Sequence, residues 1–226
     1  MIISDIEVHN IIRSKRKTIA LQIGRDALLI VRAPRQTPDK TIINFINQKR
    51  SWIIKNQTKA REKLLSKPRR EFKDGEEFQY LGEAYKLRTA YDYPSKLTFD
   101  NGFFLSTAQA HKARELFVKW YKKKAAALIA ERTQYYASNL GIKYEGVKIT
   151  SGRGNWGSCR SQGRLIFNWR LIMSPLQIID YVILHELVHI IERNHSKQFW
   201  NRIRSLYPDF EICKKWLKQN GHLLEI

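Results

Sequence analysis

The chain has little of several things, and each scarcity closes an option. Only two of its 226 residues are cysteine, Cys159 and Cys213. That is too few for a disulfide framework or a cysteine-rich zinc site, and it fits a reducing, cytoplasmic compartment. No apolar run approaches the roughly 18–20 residues that span a bilayer, so no membrane partner is expected. The first residues, Met1-Ile2-Ile3-Ser4-Asp5, show no basic stretch followed by an apolar one, and no signal peptide is expected. Acidic side chains are scarce as well: 21 Asp and Glu stand against 41 Lys and Arg, a formal net charge of +20. The excess is no tail, since residues 1–110 hold 21 basic and 12 acidic side chains and residues 111–226 hold 20 and 9. With 43% hydrophobic and 27% charged residues, the composition is that of a globular chain able to bury a core. A basic body of this kind attracts polyanions by counterion release, which makes nucleic acid a candidate partner through the basic surface.

The first hundred residues read as strands around one long helix. Thr18–Ile23 and Ala27–Val31 flank the short turn Gly24-Arg25-Asp26. After Pro34 and Pro38, Thr37 or Asp39 can cap a helix starting near Lys40, with Ile42, Phe45, Ile46, Trp52 and Ile53 at a helical period and an end near Leu65. Residues 72–105 return to strands, with Asn101-Gly102 as a hairpin turn. From about Ala108 long helices take over, beginning with His111–Leu140, which Gly141 stops. The chain is therefore expected to be α+β, with a β-rich N-terminal domain over 1–107 and a second domain over 108–226.

Chemistry concentrates in Asp180-Tyr181-Val182-Ile183-Leu184-His185-Glu186-Leu187-Val188-His189. His-Glu-x-x-His on a helix puts both imidazoles on one face, about 6 Å apart along the axis, where they can share an ion. Glu186 projects about 100° around the helix, off the two-histidine stripe but within reach of a water on that ion. The surrounding residues are so apolar that the helix should be buried nearly all round. Two histidines and a glutamate inside it would be costly unless a ligand satisfied them, which favours a metal. His195 is a candidate third ligand. A continuous helix would carry it about 15 Å along the axis from His185, so the chain has to bend. Asn194 can adopt the left-handed conformation that ends a helix, and Ser196 can cap a new one over Lys197–Leu206. Glu192, three residues past His189, competes for the same place. Upstream, Arg153–Arg160 and Arg164–Asn168 look like a hairpin leading into this helix, and Ile166 and Asn168 are candidates for a strand to which an extended substrate could add. Cys159 reads as an inert, half-buried thiol.

These segments resemble the YgjP-like metallopeptidase family and, more distantly, the SprT/Spartan and WLM zinc proteases. The resemblance rests on Trp156-Gly157-Ser158-Cys159, Leu165-Ile166-Phe167-Asn168, Asp180 through His189, and Asn194-His195-Ser196-Lys197-Gln198-Phe199-Trp200. Ile12–Lys17, Arg32-Ala33-Pro34 and Tyr80-Leu81-Gly82 extend it to nearly the whole chain. It implies a compact zincin-like catalytic domain with an active-site helix and a β-hairpin, behind the β-rich N-terminal part. It also implies one Zn2+ per chain on His185, His189 and His195, with Glu186 catalytic. A metzincin fits poorly: Glu192 stands where that group places a glycine, and the only methionines, Met1 and Met173, cannot supply its downstream methionine turn.

The expected activity is zinc-dependent hydrolysis of a protein or peptide substrate, with Glu186 as general base for an activated water. Tyr207 and His222 are candidates for a second oxyanion donor. The alternative is a basic nucleic-acid-associated protein with a structural or vestigial zinc site, or a protease acting near DNA. Structural zinc sites are usually closed by four protein ligands, and only three are evident.

Overall fold

In the computed structural model, residues 2–3, 6–24, 26–66, 68–91, 93, 96–152 and 154–226 are described; Arg25 and Arg153, which belong to the turn and the hairpin discussed above, lie outside them. The chain divides into two compact units, Met1–Lys67 and Pro68–Ile226.

The first unit is a four-stranded sheet with two helices. Its strands are β1 (Ile2–Ile3), β2 (Ile6–Ser14), β3 (Ala20–Ile23) and β4 (Leu29–Pro34), in the order β1-β2-β4-β3. The expected hairpin is there: β3 and β4 run antiparallel with Ile23 opposite Leu29, and Asp26 accepts from the Leu28 amide at 3.1 Å. The single long helix of the sequence reading is two, α1 (Asp39–Gln48) and α2 (Arg50–Leu65). They break at Lys49 (φ −99°, ψ 11°), whose N–H is shared between the carbonyls of Phe45 and Ile46 at 3.1 Å each, a tightened last turn. Neither Thr37 nor Asp39 caps α1: Pro38 holds that position, and Asp39 pairs with Arg13 instead. Ile6, Val8, Leu29, Val31, Ala33, Ile42, Ile46 and Ile53 form a separate small core.

The second unit carries the site. Its first sheet has β5 (Glu77–Tyr80), β6 (Glu83–Ala90), β7 (Leu97–Phe99) and β8 (Phe103–Ser106) in the order β5-β6-β8-β7. The Asn101-Gly102 turn joins β7 to β8 with Phe99 opposite Phe103, as its sequence predicts. Helix α3 (Ala113–Leu140) ends at Gly141, which takes the left-handed conformation at φ 64°. Phe78, Phe103, Phe117 and Tyr121 form one aromatic cluster, so these strands and α3 share a core, and the change from strands to helices at 106–110 falls inside this unit.

Three further strands follow, β9 (Gly146–Thr150), β10 (Gly157–Cys159) and β11 (Arg164–Asn168), ordered β10-β11-β9. Then come α4 (Leu176–Ile191), α5 (Lys197–Leu206) and α6 (Phe210–Asn220). The turn before α4 is clamped by the Tyr80-Leu81-Gly82 segment: Leu81 N–H donates to the Ile172 carbonyl at 2.9 Å and Gly82 N–H to Met173 at 3.2 Å. Gly82 combines φ 89° with an approach so close that a Cβ would sit 2.9 Å from the Pro175 ring. Only glycine meets both conditions. No helix among the described residues is long and apolar enough to cross a membrane.

Candidate metal centre and active site

Helix α4 is buried over Ile178–Leu184 and Glu186–Val188, as its run of apolar residues dictates. Asp180 is buried with them and is satisfied by Arg132 of α3, which donates from Nε at 2.8 Å and from its terminal nitrogen at 2.5 Å. This two-pronged pair fixes α4 against α3. Against that anchored background, His185 and His189 turn one face toward a cleft.

The chain then bends as the spacing of His195 demands. Helix α4 stops at Ile191, because Glu192 is extended (φ −114°, ψ 95°). Asn194 plays a different part from the one its type suggests. Its φ is not positive; its Oδ1 accepts from the Ser196 amide at 3.2 Å, closing a local turn. Ser196 caps α5 by accepting from the Phe199 amide at 3.3 Å, and α5 covers Lys197–Leu206 as expected.

That turn folds His195 back onto α4. Its Nε2 lies 3.0 Å from Nε2 of His185 and 3.1 Å from Nε2 of His189. Three nitrogens bound to one zinc at 2.0–2.1 Å in tetrahedral geometry would stand about 3.3 Å apart, so the spacing fits a common ion. Protonation fits too. Burial, and then His189, His195 and Lys214, lower the His185 pKa to about 3, which keeps this ring neutral. His189 donates from Nδ1 to the Glu192 carbonyl at 2.9 Å, leaving the Nε2 lone pair free to ligate. His185 Nδ1 is buried and has no partner among the described residues, so this ring's polar contacts lie on its Nε2 side. The three converging ring nitrogens form a group that could hold a metal ion.

Glu192 contributes that carbonyl, while its carboxylate faces Arg202 at 4.0 Å. The role of Phe199-Trp200 was invisible in the sequence. The Phe199 ring lies 4.9, 4.5 and 4.8 Å from the rings of His185, His189 and His195, a single apolar floor beneath all three. Trp200 stacks on His195 at 5.4 Å and is itself covered by Lys214 at 4.5 Å. Helical spacing alone would have marked Phe199 as core, which it also is.

Glu186 enters the cleft from the same helix and is 5% exposed. Burial raises its pKa to about 7, with the Cys159 backbone N–H opposing. Its Oε2 is buried without a hydrogen-bond partner among the described residues. The opposite wall is β10, and Gly157 touches the carboxylate so closely that a Cβ there would lie 2.6 Å from Cγ and Oε1 of Glu186. The cleft, of about 710 Å³, runs between β10 and α4 and includes Trp156, Tyr181 and Leu217 at its margins.

The remaining candidates fall elsewhere. Ile166 and Asn168 stand on β11, the central strand, hydrogen-bonded to β10 on one side and β9 on the other. They offer no free edge; β10 does. The Asn168 side chain donates to the Gly152 carbonyl at 2.7 Å and accepts from the Arg170 amide at 3.0 Å. Tyr207 is not a cleft residue, and its hydroxyl donates to the Gln177 carbonyl at 3.0 Å, two turns before His185. His222 follows Gly221, which abuts the Trp156 indole, but does not line the cleft. Cys159 does line it. Burial raises its thiol pKa, Glu186 adds to this and Arg193 opposes it.

No curated protein matches the chain. Among solved structures it is similar to the metallopeptidase zymogen jannalysin of Methanocaldococcus jannaschii, with 20% identity over 40% of this chain and 94% of that one, and a TM-score of 0.37. The YgjP-like metallopeptidase domain matches residues 17–220, which carry all three histidines and Glu186, and the chain belongs to the YgjP-like metallopeptidase family.

Proposed function

We infer that this protein is a zinc-dependent peptidase in which His185, His189 and His195 hold one ion and Glu186 is the general base. The observation that carries this reading is the convergence of three ring nitrogens, with the His195 Nε2 3.0 Å from that of His185 and 3.1 Å from that of His189, in the cleft that receives the Glu186 carboxylate. A divalent ion held there would supply Lewis acidity, acidifying water and polarising a carbonyl.

The chain's own groups do the rest. Glu186 takes a proton from the attacking water and returns it to the leaving amine, a shuttle suited to a carboxyl whose pKa burial raises to about 7. Gly157 leaves room for that carboxylate. β10 is an edge strand along the cleft, so an extended substrate can add to it by main-chain hydrogen bonds. Phe199 and Trp200 hold the imidazoles in place, as rigid packing must when ligand geometry is to survive without the ion. The arrangement of helix, bend and edge strand is the one a zincin-like catalytic domain requires, and residues 108–226 contain all of it.

The test is hydrolysis of an unstructured protein such as casein. Zinc-loaded protein should cleave it, a chelator should stop cleavage, and added zinc should restore at least half of the rate. Cleavage that continues in excess chelator would contradict the reading.

A further inference from the structure

The cleft is electrostatically lopsided. Among the described residues that line it, the charged side chains apart from the three histidines and Glu186 are Arg160 and Arg193. Both are exposed, and neither forms an ion pair among the described residues. They come from different elements. Arg160 directly follows β10, and Arg193 lies in the bend between His189 and His195. Both line the cleft, alongside Cys159, Ser161 and His189. A smaller hollow of about 340 Å³ continues from Arg160 and Ser158, adding Lys148 and Arg164 and no carboxylate. Glu145 pairs with Arg164, so Lys148 is the cation that the hollow adds to the cleft arginines.

The other end is apolar. Trp156 precedes β10, Tyr181 lies one turn before His185, and Leu217 reaches in from α6. Gly221, at the end of α6, packs against the Trp156 indole, which places Leu217 and Trp156 at the same end. A peptide laid along β10 would therefore run from an apolar subsite, past Glu186, to two unpaired guanidinium groups.

We propose that the cleft selects peptides with an acidic side chain on the Arg160–Arg193 side of the scissile bond and an apolar one on the other. Strand spacing sets the distance. At about 3.3 Å per residue, Arg160 stands about 10 Å beyond Gly157, so the acidic residue falls two or three positions from the bond. Guanidinium groups favour this outcome because they grip carboxylates in a fixed fork. The inference rests on the peptidase reading for its scissile bond, but not for its measurement.

The test is binding, read by fluorescence anisotropy with metal-free wild-type chain so that nothing is cleaved. Two labelled ten-residue peptides share a central Leu and differ only two and three positions beyond it, Glu-Asp in one and Gln-Asn in the other. The acidic peptide should bind about tenfold more tightly at 50 mM salt, with the gap falling below threefold at 500 mM. Arg160→Glu with Arg193→Glu should erase the preference, and the milder Arg160→Gln with Arg193→Gln should reduce it. Lys122→Glu with Lys123→Glu, on exposed positions of α3, should leave it unchanged and so separates the cleft from general attraction to a +20 chain. Equal affinity for the two peptides, or a preference that survives the Arg160/Arg193 reversal, would overturn the proposal even if casein is cleaved. A failure to cleave casein leaves the binding result standing and strikes the peptidase reading instead.

Discussion

Glu186→Gln is expected to lower the rate of peptide hydrolysis by about 10²–10⁴-fold, the usual contribution of a positioned general base, while zinc content stays at the wild-type level. The substitution keeps the size of the side chain and one acceptor oxygen but removes the ability to hold a transferable proton. The three imidazoles should not notice. Their mutual spacing is set by the bend at Glu192–Ser196 and by Phe199 beneath them, and none of their hydrogen bonds goes to Glu186. Folding should survive as well, because the change replaces a buried carboxyl, whose Oε2 has no partner among the described residues, with a neutral amide. Steady-state cleavage of a quenched peptide, with metal analysis of the same samples, gives the answer. A variant that keeps full rate would remove Glu186 from the mechanism; one that loses zinc would make the carboxylate a part of the ion site.

Gly157→Ala should cost about 10²-fold in kcat, the price of moving a catalytic group by about an ångström. The new Cβ would sit 2.6 Å from Cγ and Oε1 of Glu186 and 2.9 Å from Cδ. Real Cβ contacts do not come that close, and the carboxylate is confined: it is 5% exposed, on a helix whose other faces are packed. Either Glu186 moves or β10 does. Gly157 is paired with Phe167, so strand movement would disturb the edge on which substrate is expected to lie. Both routes reduce turnover without touching the histidines, and zinc content should again be unchanged. Gly146→Ala on β9 is the control, since a Cβ there meets nothing within 4 Å. A Gly157→Ala variant as active as Gly146→Ala would mean that the carboxylate works from a position other than the one it occupies against β10.

How much of this could be read beforehand depends on how local each feature is. The two-histidine stripe follows from i, i+4 spacing, and α5 appears where Ser196 can cap it. The Asn101-Gly102 hairpin and the β10–β11 hairpin are set by short turns and were equally legible. Strand β2 was not, because a register shift between Val8 and Asn10 breaks the alternation that marks a strand. Nor was β9, the parallel partner of β11 some eighteen residues away, which pairs Ile149 with Phe167. Missing β9 is why Ile166 and Asn168 looked like an available edge. Alternation shows which face a residue takes, not which strand stands at the border of a sheet.

The site divides in the same way. The grouping of His185, His189 and His195 was readable because the helix fixes two positions and a bend can return the third to them. Phe199 under three imidazoles, Gly157 against Glu186 and the presence of Arg160 and Arg193 in one cleft all depend on segments brought together by the fold. Tyr207 shows the converse. It has the right chemistry for an oxyanion donor, but its hydroxyl is committed to the Gln177 carbonyl.

Three histidines, from a helix and the bend after it, are proposed to hold a single ion. Elemental analysis of wild type and His195→Ala, purified identically from metal-free buffer and then reconstituted, tests it most directly. The account predicts about one zinc per wild-type chain and less than about a tenth as much in the variant, since two imidazoles and water bind zinc far more weakly than three. A wild-type chain that takes up no zinc, or a His195→Ala chain that keeps a full equivalent, would contradict it.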